Sequence, residues 1–116
     1  KVDLLHAALQ AQVKTVISSM GAAEKTDPFK VQIGDISKTH NCNLARYIRK
    51  RLKQLGVAQG ITCVYSTELA RRNPATGIER EPVDHGRPRT IMGSWICITG
   101  LFGLLAAREA VRKILE

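Results

Sequence analysis

Between residues 43 and 55 the sequence reads Asn-Leu-Ala-Arg-Tyr-Ile-Arg-Lys-Arg-Leu-Lys-Gln-Leu, and Leu44, Ile48, Leu52 and Leu55 recur every three or four residues. That period describes a helix with one apolar stripe, and the stripe must lie on another apolar surface. The surrounding segments offer one. Lys14–Ser19 and Ile61–Thr67 are short and rich in β-branched residues, so both read as buried strands. Phe29–Ile36 alternates, with Phe29, Val31 and Ile33 on one face, and reads as a further strand. Val13–Ile17 and Val31–Ile36 are expected to be neighbours in one sheet. Residues 1–11 place Val2, Leu5 and Leu9 at helical spacing, with Leu4 and Ala8 alongside. The order helix, strand, strand, helix, strand, loop, strand, helix is that of an α/β protein.

Punctuation supports these boundaries. Asn43 or Asn41 can cap the basic helix, and Gly56 can end it. Gly21 and Asp27-Pro28 mark turns. Residues 69–90 hold three prolines, two glycines and five arginines without periodicity, and read as a long flexible loop. Ile91–Ala107 is a run of 17 uncharged residues. It stops short of the ~20 that a membrane helix needs, and is broken by Gly93, Gly100 and Gly103. A short strand near Ile91–Cys97 leading into a helix from Thr99 to Leu115 is the expectation. A chain of 116 residues fits one domain, residues 1–116.

Eighteen basic and ten acidic residues give a net charge of +8, which favours polyanionic partners. Three cysteines, Cys42, Cys63 and Cys97, form no C-x-x-C pair. A disulfide framework or zinc site is therefore not expected, and a reducing cytoplasm fits. Cys63 and Cys97 have apolar neighbours and read as inert structural thiols. His40 and Cys42 are too few for a metal site. Ser18, Ser19 and Ser66 have no His–Asp partners at a diagnostic spacing. Neither G-x-G-x-x-G nor G-x-x-x-x-G-K-[ST] occurs.

The strongest chemical signal is the placement of charge. From Lys38 to Lys53 there are six cations and no carboxylate. Arg46, Arg49, Lys50 and Lys53 fall at i, i+3, i+4 and i+7 and share a helix face. Like charges at those spacings repel by a few tenths of a kcal/mol per pair, a cost that phosphates lying across them would relieve. The face is either a solvated helix surface or a ridge for a nucleic-acid backbone. With only five aromatic residues, Phe29, Tyr47, Tyr65, Trp95 and Phe102, recognition would rest on backbone charge and shape rather than base stacking. Gly21, in the small-residue segment Ser18–Ala23, suits either close helix packing or a ligand's approach to the backbone.

Several stretches together resemble a known family: Val16-Ile17-Ser18-Ser19-Met20-Gly21-Ala22-Ala23-Glu24-Lys25-Thr26-Asp27-Pro28, then Asp35-Ile36-Ser37-Lys38-Thr39, Leu44-Ala45-Arg46, and Val64-Tyr65-Ser66-Thr67-Glu68. They are similar to the tRNA threonylcarbamoyladenosine dehydratases of the ThiF/MoeB/HesA superfamily, relatives of the ubiquitin-activating enzymes. Gly93-Ser94 and the closing helix, with Arg108-Glu109-Ala110-Val111-Arg112, extend the likeness to nearly all of the chain except 69–90. His40-Asn41-Cys42-Asn43 departs from the family's Asp-Pro at the helix start.

The resemblance implies the C-terminal half of a Rossmann-type layered fold, a mixed sheet with flanking helices. It also implies an ATP-dependent enzyme that adenylates threonylcarbamoyladenosine in tRNA and cyclises it with loss of water. ATP and magnesium would be held by an N-terminal half that this chain lacks, so the chain alone is expected to be inactive and to bind no cofactor. Lys1 looks like the lysine that follows the family's magnesium aspartate. Gly21, Lys25, Asp27, Lys38 and Thr39 match the substrate-facing loop. Arg46 and Arg49 match the basic helix, on which Lys50 and Lys53 complete the tRNA-binding set. The implied partners are tRNA and a second copy of the chain, in the cytoplasm and without a membrane. Two other readings stay open: an activating enzyme for a ubiquitin-like sulfur carrier, and a non-catalytic RNA-binding module.

Overall fold

The computed structural model describes residues 1–69 and 93–116, together with the paired stretches 80–81 and 89–90. Helix α1, Val2–Gln10, leads to strand β1, Ile17–Ser19. Strand β2, Val31–Asp35, follows, and then helix α2, Asn43–Gln54. Strand β3, Thr62–Ser66, precedes the short strands β4, Arg80–Glu81, and β5, Arg89–Thr90, which pair antiparallel with each other. Helix α3, Ile96–Leu115, closes the described chain.

The main sheet has the order β1-β3-β2, parallel between β1 and β3 and antiparallel between β2 and β3. The expected adjacency of the first two strands is corrected, because β3 lies between them. The residues explain why. Cys63, Val64, Tyr65 and Ser66 are all buried, and a strand covered on both faces belongs in the middle of a sheet. Alternate side chains of β3 serve two cores. Cys63 and Tyr65 pack with Ile48 and Leu52 of α2 and Leu5 of α1. Val64 packs with Ile98 and Phe102 of α3, with Val31 and Ile33 beside them. The result is three layers, with α1 and α2 on one face of the sheet and α3 on the other. Burying each of Ile48, Leu52 and Phe102 contributes about 2 kcal/mol.

Three other expectations change. Phe29 is 93% exposed and sits in a single 3-10 turn, Pro28–Lys30, rather than in a strand. The Asp27 carboxylate accepts from the Phe29 amide at 2.9 Å, and Pro28 presets the first turn. This local cap outweighs the alternation. The strand expected at Ile91–Cys97 is absent where it can be described: Gly93–Trp95 has no regular structure, and α3 already begins at Ile96. Ile91 and Met92 lie outside the described residues. Cys97 is exposed, not buried, because Ile98 and Phe102 take the inward face of α3. Within 69–90 the β4–β5 pairing corrects the expectation of no regular structure, and the rest of that segment lies outside the described residues.

The outer face of α3 carries Ile96, Gly100, Leu104, Ala107, Val111 and Ile114, all exposed. No described helix is long and apolar enough to cross a membrane.

Candidate nucleic-acid interface

Helix α2 starts beside the C-terminal end of β1, and its first turn is built from sulfur rather than oxygen. Cys42 Sγ accepts from the Ala45 amide at 3.5 Å, so the cap is Cys42 and not Asn41 or Asn43. Asn43 instead accepts from Arg46 Nη2 at 3.1 Å. The helix ends as expected. Gly56 has φ +80°, and its amide and that of Val57 close back on Lys53 and Leu52. The apolar stripe is centred on Ala45, Ile48 and Leu52, whereas Leu44 and Leu55 lie at its exposed margins.

The opposite face is cationic. Arg46, Lys50 and Lys53 are exposed, and no carboxylate among the described residues forms a salt bridge with them. Arg49 differs. It is half-buried, and its Nη1 donates to the Thr39 carbonyl at 2.5 Å and also to Thr39 Oγ1. Thr39 is itself buried, with its hydroxyl donating to the Ile36 carbonyl at 2.8 Å. Arg49 and Thr39 therefore hold each other.

At the N-terminus of α2 lies an open cleft of about 560 Å³, lined by His40, Asn41, Cys42, Asn43, Arg46, Arg49 and Leu69. Unpaired helix amides make such an end favourable to anions, and here two arginines add to it. A smaller recess of about 130 Å³ shares Asn41–Asn43 and is lined also by Gly21, Ala23, Glu24, Lys25 and Leu44. A side chain at Gly21 would meet Leu44 Cβ at 3.6 Å and Cys42 Sγ at 3.7 Å. These are ordinary contact distances, so the packing at this position does not require a glycine.

The remaining loop residues come together around a buried knot. Lys25 is 4% exposed, and its Nζ donates to the Asn41 carbonyl at 3.1 Å and to the Glu68 carbonyl. The Glu68 carboxylate accepts from the amides of Thr26 (2.8 Å) and Asp27 (2.9 Å) and from Thr26 Oγ1 (3.1 Å). Those bonds, the Asp27 amide above all, hold the Glu68 carboxyl below its ordinary range against the opposing effect of burial, and Lys25 adds to the lowering. Asp27 is half-buried and caps the next turn, and Lys38 is exposed at the end of another. Lys1 reaches the same end of β1, donating to the Ser19 carbonyl at 2.6 Å. The sequence offers Asn41 only as a helix cap and Glu68 only within the family-like stretch, and neither as part of this knot. Their partners lie about 15 to 45 residues away, and no local pattern announces them.

No family model matches the chain. Curated proteins do. Over 59% of the chain it is 48% identical to tRNA threonylcarbamoyladenosine dehydratase 2 of Saccharomyces cerevisiae and 43% identical to the Bacillus subtilis tRNA threonylcarbamoyladenosine dehydratase. The chain's relatives are tRNA threonylcarbamoyladenosine dehydratases. These matches span only 15% and 26% of those two proteins. The structure agrees with the sequence. It superposes on Escherichia coli tRNA N6-threonylcarbamoyladenosine dehydratase in complex with ATP, with a TM-score of 0.77, 26% identity, and coverage of 98% of this chain and 42% of that one. The same E. coli protein is also known in complex with AMP. The resemblance to these dehydratases, and the mixed sheet with flanking helices that it implies, are borne out in sequence and in fold.

The described residues show no ligand set for the metal of a nucleoside triphosphate: no group of three His, Cys, Asp or Glu among them could hold a metal ion. The carboxylates of Asp27 and Glu68 are engaged by backbone amides.

Proposed function

We propose that this chain is the tRNA-gripping part of an enzyme that modifies threonylcarbamoyladenosine in tRNA. The observation that carries the reading is the cationic face of α2, free of carboxylate partners among the described residues, beside an open cleft at the helix N-terminus. Arg46, Lys50 and Lys53 lie along the phosphate chain, and Arg49, tied to Thr39, shapes the cleft wall. Gly21, Asp27 and Lys38 border the substrate, while Lys25 and Thr39 hold the loops that carry them. The whole protein's chemistry is then the ATP-dependent one of the relatives: the nucleoside's carboxylate is adenylated and the side chain cyclises with loss of water. ATP and magnesium are held by residues other than those described. The reading includes the cytoplasm, where tRNA is found. It also includes a homodimer, which the charge-free outer face of α3 supports.

The test is tRNA affinity measured against salt. Replacing Arg46, Lys50 and Lys53 with glutamine should flatten the log–log slope by about 2 to 3, close to 0.9 per lost phosphate contact. An unchanged slope defeats the reading. Retention of a sulfur-carrier protein that survives charge reversal at Arg46, with no tRNA bound, would favour a carrier-activating enzyme instead.

A further inference from the structure

Residues 40–43 line the cleft and open α2, and the segment 39–43 is held at three points, two through its backbone carbonyls and one through a side chain. Arg49 takes the Thr39 carbonyl, Lys25 takes the Asn41 carbonyl, and Asn41 Nδ2 donates to the Thr67 carbonyl at 2.7 Å. Asn41 itself has φ +54°, in the left-handed region. Asparagine tolerates that region better than most residues, but the conformation persists only where its surroundings enforce it. Lys25 is the buried member of this set. A buried ammonium needs polar partners, and its two carbonyls belong to different segments, the cleft wall and the end of β3.

We propose that Lys25 is a positioning residue for RNA binding. It does not touch the ligand. By tying the carbonyls of Asn41 and Glu68 together it fixes residues 39–43, so that His40, Asn43 and Arg46 line a cleft formed before RNA arrives. The inference rests on the tRNA reading above and deepens it. A cation that met phosphate would have to leave a site in which it is 4% exposed and give up both carbonyls, that of Glu68 in a buried setting.

The experiment compares Lys25→Met, Lys25→Arg and Asn41→Ala with the unaltered chain. Bulk tRNA is titrated at four salt concentrations, and amide hydrogen exchange is followed without RNA. Lys25→Met should weaken binding about tenfold at every salt, the cost of ordering a loosened site, and leave the slope intact. Amides of 39–43 should exchange faster while those of β3 keep their rates. Lys25→Arg, which retains a buried cation and donors, should recover most of the affinity. Asn41→Ala keeps Lys25 but disfavours the left-handed turn, and should reproduce the loss even if Lys25→Met fails to fold. A slope flatter by about 0.9 in Lys25→Met would mean a direct phosphate contact and would overturn the proposal, as would wild-type affinity in Asn41→Ala. If the unaltered chain binds no tRNA at any salt, the α2 reading falls instead, and the exchange rates at 39–43 then decide whether Lys25 fixes the loop.

Discussion

Truncating Glu68 tests the knot that joins the two loops beside the cleft. Its carboxylate is the acceptor for two backbone amides and one hydroxyl, and the residue is 5% exposed. Glu68→Ala leaves the Thr26 and Asp27 amides without that acceptor. Stranding two partly buried donors costs about 3 kcal/mol. Glu68→Gln keeps an oxygen for both amides and turns an NH₂ toward Thr26 Oγ1, which can accept. It loses only the charge assistance, about 1 kcal/mol. At about 4 °C per kcal/mol for a chain of this size, Tm should fall by about 12 °C and about 4 °C respectively. Urea unfolding at pH 7 measures the first quantity, and a calorimetric scan the second. Acid gives a further handle. The Glu68 carboxyl is held below its ordinary value in the folded state, so its contribution is complete above the unfolded pKa of about 4.3. It disappears as pH falls through the folded value, and the gap between wild type and Glu68→Gln should close with it. Equal losses for the two variants, or a gap that widens in acid, would refute the hydrogen-bond account.

Thiol chemistry should separate the three cysteines. Burial, with a further push from the Asp35 charge, raises the Cys63 thiol to about 12, so at pH 8 an aromatic disulfide reagent should react at exposed Cys97 and reach Cys42 and Cys63 only on unfolding. Rapid labelling of Cys63 in the native chain would contradict the packing described. Ile48→Ala, at a fully buried position between α2 and β3, should lower the unfolding free energy by about 3 kcal/mol in urea, and a loss below about 1 kcal/mol would show that this core is loosely packed.

What was legible in the sequence follows from how local each signal is. The period of Ile48 and Leu52 and the β-branched run at 61–66 are decided within a dozen residues, and both elements stand where they were expected. The turn at Phe29 was hidden because a three-residue cap, Asp27 to Phe29, outcompeted an alternation that was real from Val31 onward. Helical spacing could not tell which face of α3 turns inward, so Cys97 was placed in the core. At the site, the cationic residues were readable as a set, since one helix displays them. That Arg49 serves Thr39 and that Lys25 bridges Asn41 and Glu68 was not readable, because those contacts join segments up to 43 residues apart. Asp35 shows the same limit. Its oxygens accept from the amides of Ser37 and of Gly60, the latter 25 residues away. Burial acts to raise its carboxyl, and the bonds from Ser37, Gly60 and Ile61 outweigh it, leaving a net lowering.

The parallel register pairs Ile17 with Thr62 and Ser19 with Val64. During synthesis β1 therefore leaves the ribosome about 45 residues ahead of the strand it must pair with, at several residues per second. For those seconds its hydrogen-bonding groups wait on water or on a chaperone, while β2 and α2 emerge. Long-range pairing of this kind slows folding, so the central strand can join its two neighbours only after both have been made, and α3 can cover Val64 only after that.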